Sequence, residues 1–166
     1  MTSHKSNLLG SKPDDGTAIR TLYQQTIDGW NTGSGDAFAA PYTDDSDFVG
    51  FDGTYLKGRQ QIASFHQMLF DKFLKGSCLI GKIRSIRFVT NYIAIMIAVG
   101  GTVMAGQSDI EPERNSIHAI VAVKRDSSNC ILLLFKIRVN SILEDQRNLK
   151  RSHQNEGMLN KLYHLI

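Results

Sequence analysis

Cysteine, proline and tryptophan are scarce in this chain of 166 residues, which carries two, three and one of them. Cys78 and Cys130 stand far apart. They have neither the spacing of a zinc site nor the density of a disulfide scaffold, so buried or idle thiols are expected. Charge of one sign is not in excess either: 19 Lys and Arg against 16 Asp and Glu leave a formal net charge of +3 and a pI near 8.9. The densest basic patch, Arg147, Lys150 and Arg151, is diluted by Glu144 and Asp145 and lacks aromatic interleaving. It reads as a solvated helix face, and no nucleic-acid partner is expected. No apolar run approaches the roughly 20 residues of a membrane span. The longest candidate, Tyr92 to Val99, is strand-sized. Met1 to Pro13 has two lysines but no sustained apolar stretch, so no signal peptide, no membrane partner and a cytoplasmic location are expected.

Several chemical signatures are missing as well. Gly100-Gly101 and Gly106 lack the order and the following helix of a dinucleotide fingerprint. The sequence holds no P-loop, no Gly-x-Ser-x-Gly elbow and no His pair at zinc spacing. Asp44, Asp45 and Asp47 suggest a metal cluster at first sight, but a calcium loop needs further oxygen ligands and a distal glutamate. They read as residues of a helix-to-strand turn. No metal and no cofactor are expected, and an oxidoreductase built on this chain would need a borrowed cofactor or a substrate that supplies its own electrons.

Hydrophobic residues at 42% and charged residues at 21% are those of one globular domain. We expect a loose tail over 1–13, a domain over 14–140 and a second, partly helical tail over 141–166. Ile19, Leu22, Tyr23, Ile27 and Trp30 recur at three and four, which predicts a helix from Asp15 to Asn31, capped by Asp14 or Asp15 and stopped at Gly33. A short helix, Asp36 to Ala40, follows, capped by Ser34 and ended by Pro41. Asp52-Gly53 is a turn dipeptide between Phe48–Phe51 and Thr54–Leu56. Arg59 to Leu74 carries one stripe of Ile62, Phe65, His66, Leu69, Phe70 and Phe73, ended by Gly76.

The period then changes to two. Leu79–Phe88, Tyr92–Met104, Ser116–Lys124 and Ile131–Asn140 read as strands, with a tight turn over Asp126 to Asn129. A turn of two or four residues would put His118 on one face with Phe135 and Ile137; three or five would reverse this. Ile93 to Val99 and Ile131 to Phe135 are apolar on both faces. A homodimer through the outer, convex face is the preferred account; the alternative is cover by the tail 141–166, with Met158, Leu159, Leu162, Tyr163 and Ile166. The order of elements is an α+β layout with helices on one face of a curved sheet, enclosing a conical hollow.

Phe51-Asp52-Gly53-Thr54 with Lys57-Gly58-Arg59, Ile62 and His66, then Gly106-Gln107-Ser108 and Pro112 to Ser116, then Phe135 and Arg138-Val139, resemble the SnoaL-like proteins of the SgcJ/EcaC group, over about Thr17 to Asn140. The resemblance implies an NTF2-like cone: a curved, mostly antiparallel sheet with three N-terminal helices on its concave face, dimeric, with a pocket between long helix and sheet. Its relatives include isomerases, dehydratases, cyclases and non-catalytic association domains, so the fold leaves activity open. The group's tryptophan before the last strand and its Asn-Thr pair are replaced here by Asn129-Cys130 and Lys136-Ile137.

His66, on the apolar stripe of the long helix, is the first candidate for general acid or base. A buried imidazole satisfied by a backbone carbonyl is the alternative. Asp52 could orient it or act as a base itself, or simply serve its turn. His118 could face the hollow or only pack. Asn115 could offer an amide to a carbonyl, Arg114 or Arg138 a cation to an anionic group, or these could form rim ion pairs. Trp30, Phe38, Tyr42, Phe51, Phe70, Met104 and Phe135 would form the walls. The expected function is a homodimeric binder of a small apolar or carbonyl ligand, with isomerase, cyclase or dehydratase-type acid/base activity. The alternative is a non-catalytic dimerisation or regulatory domain, which a hollow filled by side chains would favour.

Overall fold

The computed structural model describes residues 13–125 and 128–138, with side chains from Asp15 to Arg125 and, in the last strand, for Leu134. Both expected tails lie largely outside the described residues. Helix α1, Pro13–Asn31, opens on a proline whose missing amide costs nothing at that position. It buries Ile19, Tyr23, Ile27 and Trp30, the stripe that the three-and-four spacing predicts. The left-handed Gly33, at φ 67°, turns the chain into α2, Gly35–Ala39, whose first amides are capped by the hydroxyl of Ser34 accepting from Ala37 N at 3.1 Å. After Pro41 the chain enters β1, Tyr42–Val49, which pairs antiparallel with β2, Tyr55–Lys57. Gly53, at φ 85°, makes the turn between them.

The aspartates expected in a turn therefore lie in a strand. Burial alternates along its second half, hiding Ser46 and Phe48, while Asp44 and Asp45 meet cations of other elements and Asp47 accepts from the Tyr55 hydroxyl. Asp44 reaches Arg59 at 3.4 Å and Asp45 meets Arg125 at 3.1 Å. Helix α3, Gly58–Lys72, buries Ile62, Ala63, His66 and Phe70.

Strands β3, Cys78–Phe88, β4, Ile93–Val103, β5, Asn115–Arg125, and β6, Ser128–Arg138, complete a six-stranded sheet in the order β2-β1-β6-β5-β4-β3. All pairs are antiparallel except β1 with β6. The fold is α+β, with α1 and α3 laid across one sheet face. On that face Leu79, Ala94, Met96, Ala98, His118 and Ile120 are buried, while Ile95, Ile97, Val99, Ile117 and Val121 on the other remain half-exposed. A single 3-10 turn, Pro112–Arg114, precedes β5.

The register of β6 differs from its expected consequence. Arg125 pairs with Ser128, so the turn holds two residues, yet Phe135 stands opposite Ala119 and Lys136 opposite His118. A bulge between Val121 and Ala122 adds one residue to β6 and reverses the faces beyond it. Turn length alone could not disclose that.

Packing of α1 on α2 turns on Gly29, where an added Cβ would fall 2.2 Å from the backbone nitrogen of Phe38. Helix propensity alone would favour Gly29→Ala by about 1 kcal/mol. The overlap is with backbone, which cannot swing aside, so we expect Gly29→Ala to lower the melting temperature by several degrees. Differential scanning calorimetry checks the sign.

Candidate functional site

The concave face is divided into a packed end and an open end. At the packed end His66 is 2% exposed and its Nδ1 lies 2.8 Å from the carbonyl oxygen of Ile62. A carbonyl only accepts, so Nδ1 carries the proton there. The ring stacks on Phe38 at 4.0 Å between centroids and meets Phe48 edge-on at 4.9 Å. Trp30 and Phe70 close the cluster, 5.3 Å apart, and Tyr42 is fully buried beside Phe38. The cavity left between these rings and the sheet is about 20 Å³, room for about one water molecule. Trp30, Phe38, Tyr42 and Phe70, expected as pocket walls, pack against one another here, and Trp30 and Phe70 also line a second cavity of about 360 Å³ on the side of Asn31, Leu74 and Ser77. His66 occupies the position of a satisfied core histidine.

The open end holds a pocket of about 210 Å³, lined by Phe51, Thr102, Glu111, Glu113, Arg114, Asn115 and Ser116. Phe51 is 47% exposed at its rim. Arg114, half-buried, donates from Nε to Glu111 at 3.2 Å. Asp52 is exposed and serves its turn, accepting from the amide and hydroxyl of Thr54 at 3.0 and 2.9 Å. Met104 is half-buried at the end of β4, its carbonyl accepting from Gln107 N at 3.0 Å. Phe135 and Arg138 stand opposite Ala119 and Ser116 in the ladder; their side chains lie outside the described residues.

A buried hydrogen-bond chain joins the two ends. His118 is 2% exposed; its Nδ1 shares a hydrogen bond of 2.8 Å with the Tyr23 hydroxyl and its Nε2 one of 2.9 Å with the Ser116 hydroxyl. Ser116, 3% exposed, is also part of the pocket wall. Hydroxyls donate or accept, so these two partners allow His118 either tautomer, unlike the bond that fixes His66. Burial pushes the Tyr23 phenol above its ordinary value of 10.0, so it stays protonated at neutral pH. Tyr42 is displaced the same way, by burial first and by the nearby Tyr23 second.

The sheet makes room for this chain. Gly81 and Gly100 pair with each other, and Gly100 with Ser116, in one cross-strand row. A Cβ on Gly81 would fall 2.0 Å from the Tyr23 oxygen. Sequence reasoning passed over Ser116, Thr102 and Tyr23. Ser116 could have been found: residues two apart on a strand share a face. Tyr23 could not, because contact across 95 positions leaves no local signal.

No protein-family model and no curated protein matches the sequence. Among solved structures, the chain is similar to a domain of unknown function with a cystatin-like fold from Nostoc punctiforme. The two are 36% identical over 92% of this chain and 99% of that one, with a TM-score of 0.76. The chain belongs to that domain's family. The cystatin-like, NTF2-like fold recurs at lower identity in an NTF2-like protein of unknown function from Shewanella oneidensis (15%, covering 74% and 98% of the two chains, TM-score 0.61). It recurs too in a protein from Novosphingobium aromaticivorans described as a candidate scytalone dehydratase (16%, 74% and 83%, TM-score 0.61). Among the described residues of this family member, no helix is long and apolar enough to cross a membrane.

Two outcomes follow from this geometry. His66→Ala leaves a void among Phe38, Phe48 and Trp30 and removes a buried hydrogen bond, at a cost of about 3 kcal/mol, to be read from the shift of the urea midpoint. For the tyrosines the sign is set by their raised folded values: the unfolded chain releases phenol protons first. Stability is therefore complete below pH 10, the ordinary phenol value, and falls as pH rises above it. Absorbance at tyrosinate wavelengths should show Tyr23 and Tyr42 ionising together with loss of the folded circular dichroism, not before it.

Proposed function

We propose that the protein binds a compact carbonyl compound at the open end of the cone and exchanges protons with it through Ser116 and His118. The observation that carries this reading is the hydrogen-bonded chain Tyr23–His118–Ser116, whose outer residue, Ser116, lines the pocket. An imidazole whose ring nitrogens can accept or donate is suited to general acid/base work. Asn115 supplies an amide to the carbonyl oxygen and Arg114 a cation to an anionic substituent. A pocket near 210 Å³ is below the 300 Å³ or so at which drug-sized ligands begin, so a small carbonyl acid suits it better than a steroid. Isomerase, cyclase and dehydratase reactions are the types this chemistry serves. The name of the Novosphingobium protein and the SnoaL-like, SgcJ/EcaC resemblance agree with them.

The filled inner end favours a second reading, a non-catalytic association domain. On either reading the convex face packs against a second copy. Asp47, Leu133, Val121, Ile95 and Arg87 stand in one cross-strand row, an acid at one end and a base at the other. A two-fold axis lying in the plane of the sheet-to-sheet contact and perpendicular to this row would set each acidic end against the partner's basic end.

A thermal-shift screen over small keto acids, aromatic polyketides and steroids separates the readings. A keto acid should raise the melting temperature of the wild type and not of Asn115→Ala or His118→Gln; no shift from any compound leaves the association domain. Ile97→Glu should convert a dimer to monomer in sedimentation velocity, and a wild type that sediments as a monomer removes the dimer.

A further inference from the structure

Ser116, His118 and Tyr23 stand in the order nucleophile, base and orienting group. Ser116 Oγ is 2.9 Å from one ring nitrogen of His118, and Tyr23 Oη is 2.8 Å from the other. All three are buried, and the Gly81 notch holds the phenol in line. An activated hydroxyl nucleophile needs a base within hydrogen-bond reach and a third group that fixes the base's tautomer. In the tautomer with the proton on Nδ1, Tyr23 accepts from Nδ1 and Nε2 is left to accept from Ser116. Thr102 and Asn115, in the same pocket wall, are donors for a developing oxyanion.

We propose that Ser116 is an acyl-accepting nucleophile and that the carbonyl compound of this pocket is an ester of a small acid. The inference rests on the binding reading above and adds a covalent step to it. Ser116 Oγ bonds to the acyl carbon while its proton passes to His118 Nε2, and the carbonyl π pair moves onto oxygen. Collapse breaks the bond to the alcohol oxygen, which takes that proton and leaves as the alcohol. Water then attacks the acyl-Ser116 ester, giving its proton to Nε2. The carboxylic acid departs and Ser116 Oγ recovers a proton. No oxidant or metal enters. Tyr23 accepts a hydrogen bond without bringing a negative charge, so the imidazolium is stabilised less than beside a carboxylate, and slow turnover is expected. Tyr23 is here a positioning residue.

The experiment is labelling of the full chain with a small fluorophosphonate, followed by peptide mass mapping and by p-nitrophenyl acetate kinetics. The expected result is one phosphonylated residue, Ser116, and a burst of p-nitrophenol near one per chain. His118→Gln should slow labelling by about 100-fold or more. Tyr23→Phe should displace the pH profile of labelling while Ser116 remains the site. In Ser116→Cys, iodoacetamide should alkylate position 116, again dependent on His118, which tests the site if Ser116→Ala is poorly folded. Wild type that binds a keto acid but takes no label, or takes it elsewhere, overturns the nucleophile and leaves the binding reading standing. Absence of both label and ligand shift overturns both.

Discussion

A phenol and an imidazole cannot be taken out of water separately without loss, and the bond between Tyr23 and His118 settles that cost for both at once. An unpaired buried hydroxyl costs about 1–3 kcal/mol. Here each group satisfies the other at 2.8 Å. The bond also ties the middle of α1 to β5 across the sheet's concave face, 95 positions apart in sequence. Glycine at 81 follows from it, since any side chain there would occupy the phenol's place. Strand β3 accepts the weaker propensity of a glycine in its interior so that helix and sheet can meet through polar atoms.

The two buried histidines differ in partner chemistry and not in burial. His66 and His118 are equally hidden, at 2% exposure. His66 faces Phe38 and Phe48 and gives its Nδ1 proton to a helix carbonyl. Its ring is thereby part of the aromatic packing that fills the cone's inner end. His118 stands between two hydroxyls, partners that can reverse donor and acceptor roles. Proton movement through it needs no change of packing.

Much of the scaffold was legible in the sequence because helix and sheet periods are local. The Ile19–Trp30 stripe, the Ser34 cap and the Asp52-Gly53 turn each depend on residues a few positions apart, and each appears in the fold. Asp44, Asp45 and Asp47 were misread as turn residues because their charge hid the alternation that buries Ser46 between them and Phe48 after them. The site was legible only in pieces. Asn115, His118 and Phe51 could be named as candidates, but the β-bulge that shifts the register of β6 and the notch that admits Tyr23 depend on pairing between strands. His66 drew attention through its helical stripe, and the same stripe explains why it is core: a residue flanked at one turn by Ile62 and Phe70 is surrounded by hydrocarbon.

Filling one end of the cone and leaving the other open also limits what a ligand can be. Rings packed at 4.0 to 6 Å or so would have to separate before a large apolar molecule could enter beneath α3, giving up contacts worth several kcal/mol. The open end demands no such rearrangement: its walls are the start of β5, the 3-10 turn and Phe51, with Thr102, Asn115 and Ser116 among the lining residues. A ligand that costs least to admit is therefore short, polar at one end and held at the rim. The inner aromatic cluster then acts as a rigid floor beneath the Tyr23–His118–Ser116 chain, holding α1 at the height from which Tyr23 reaches its partner.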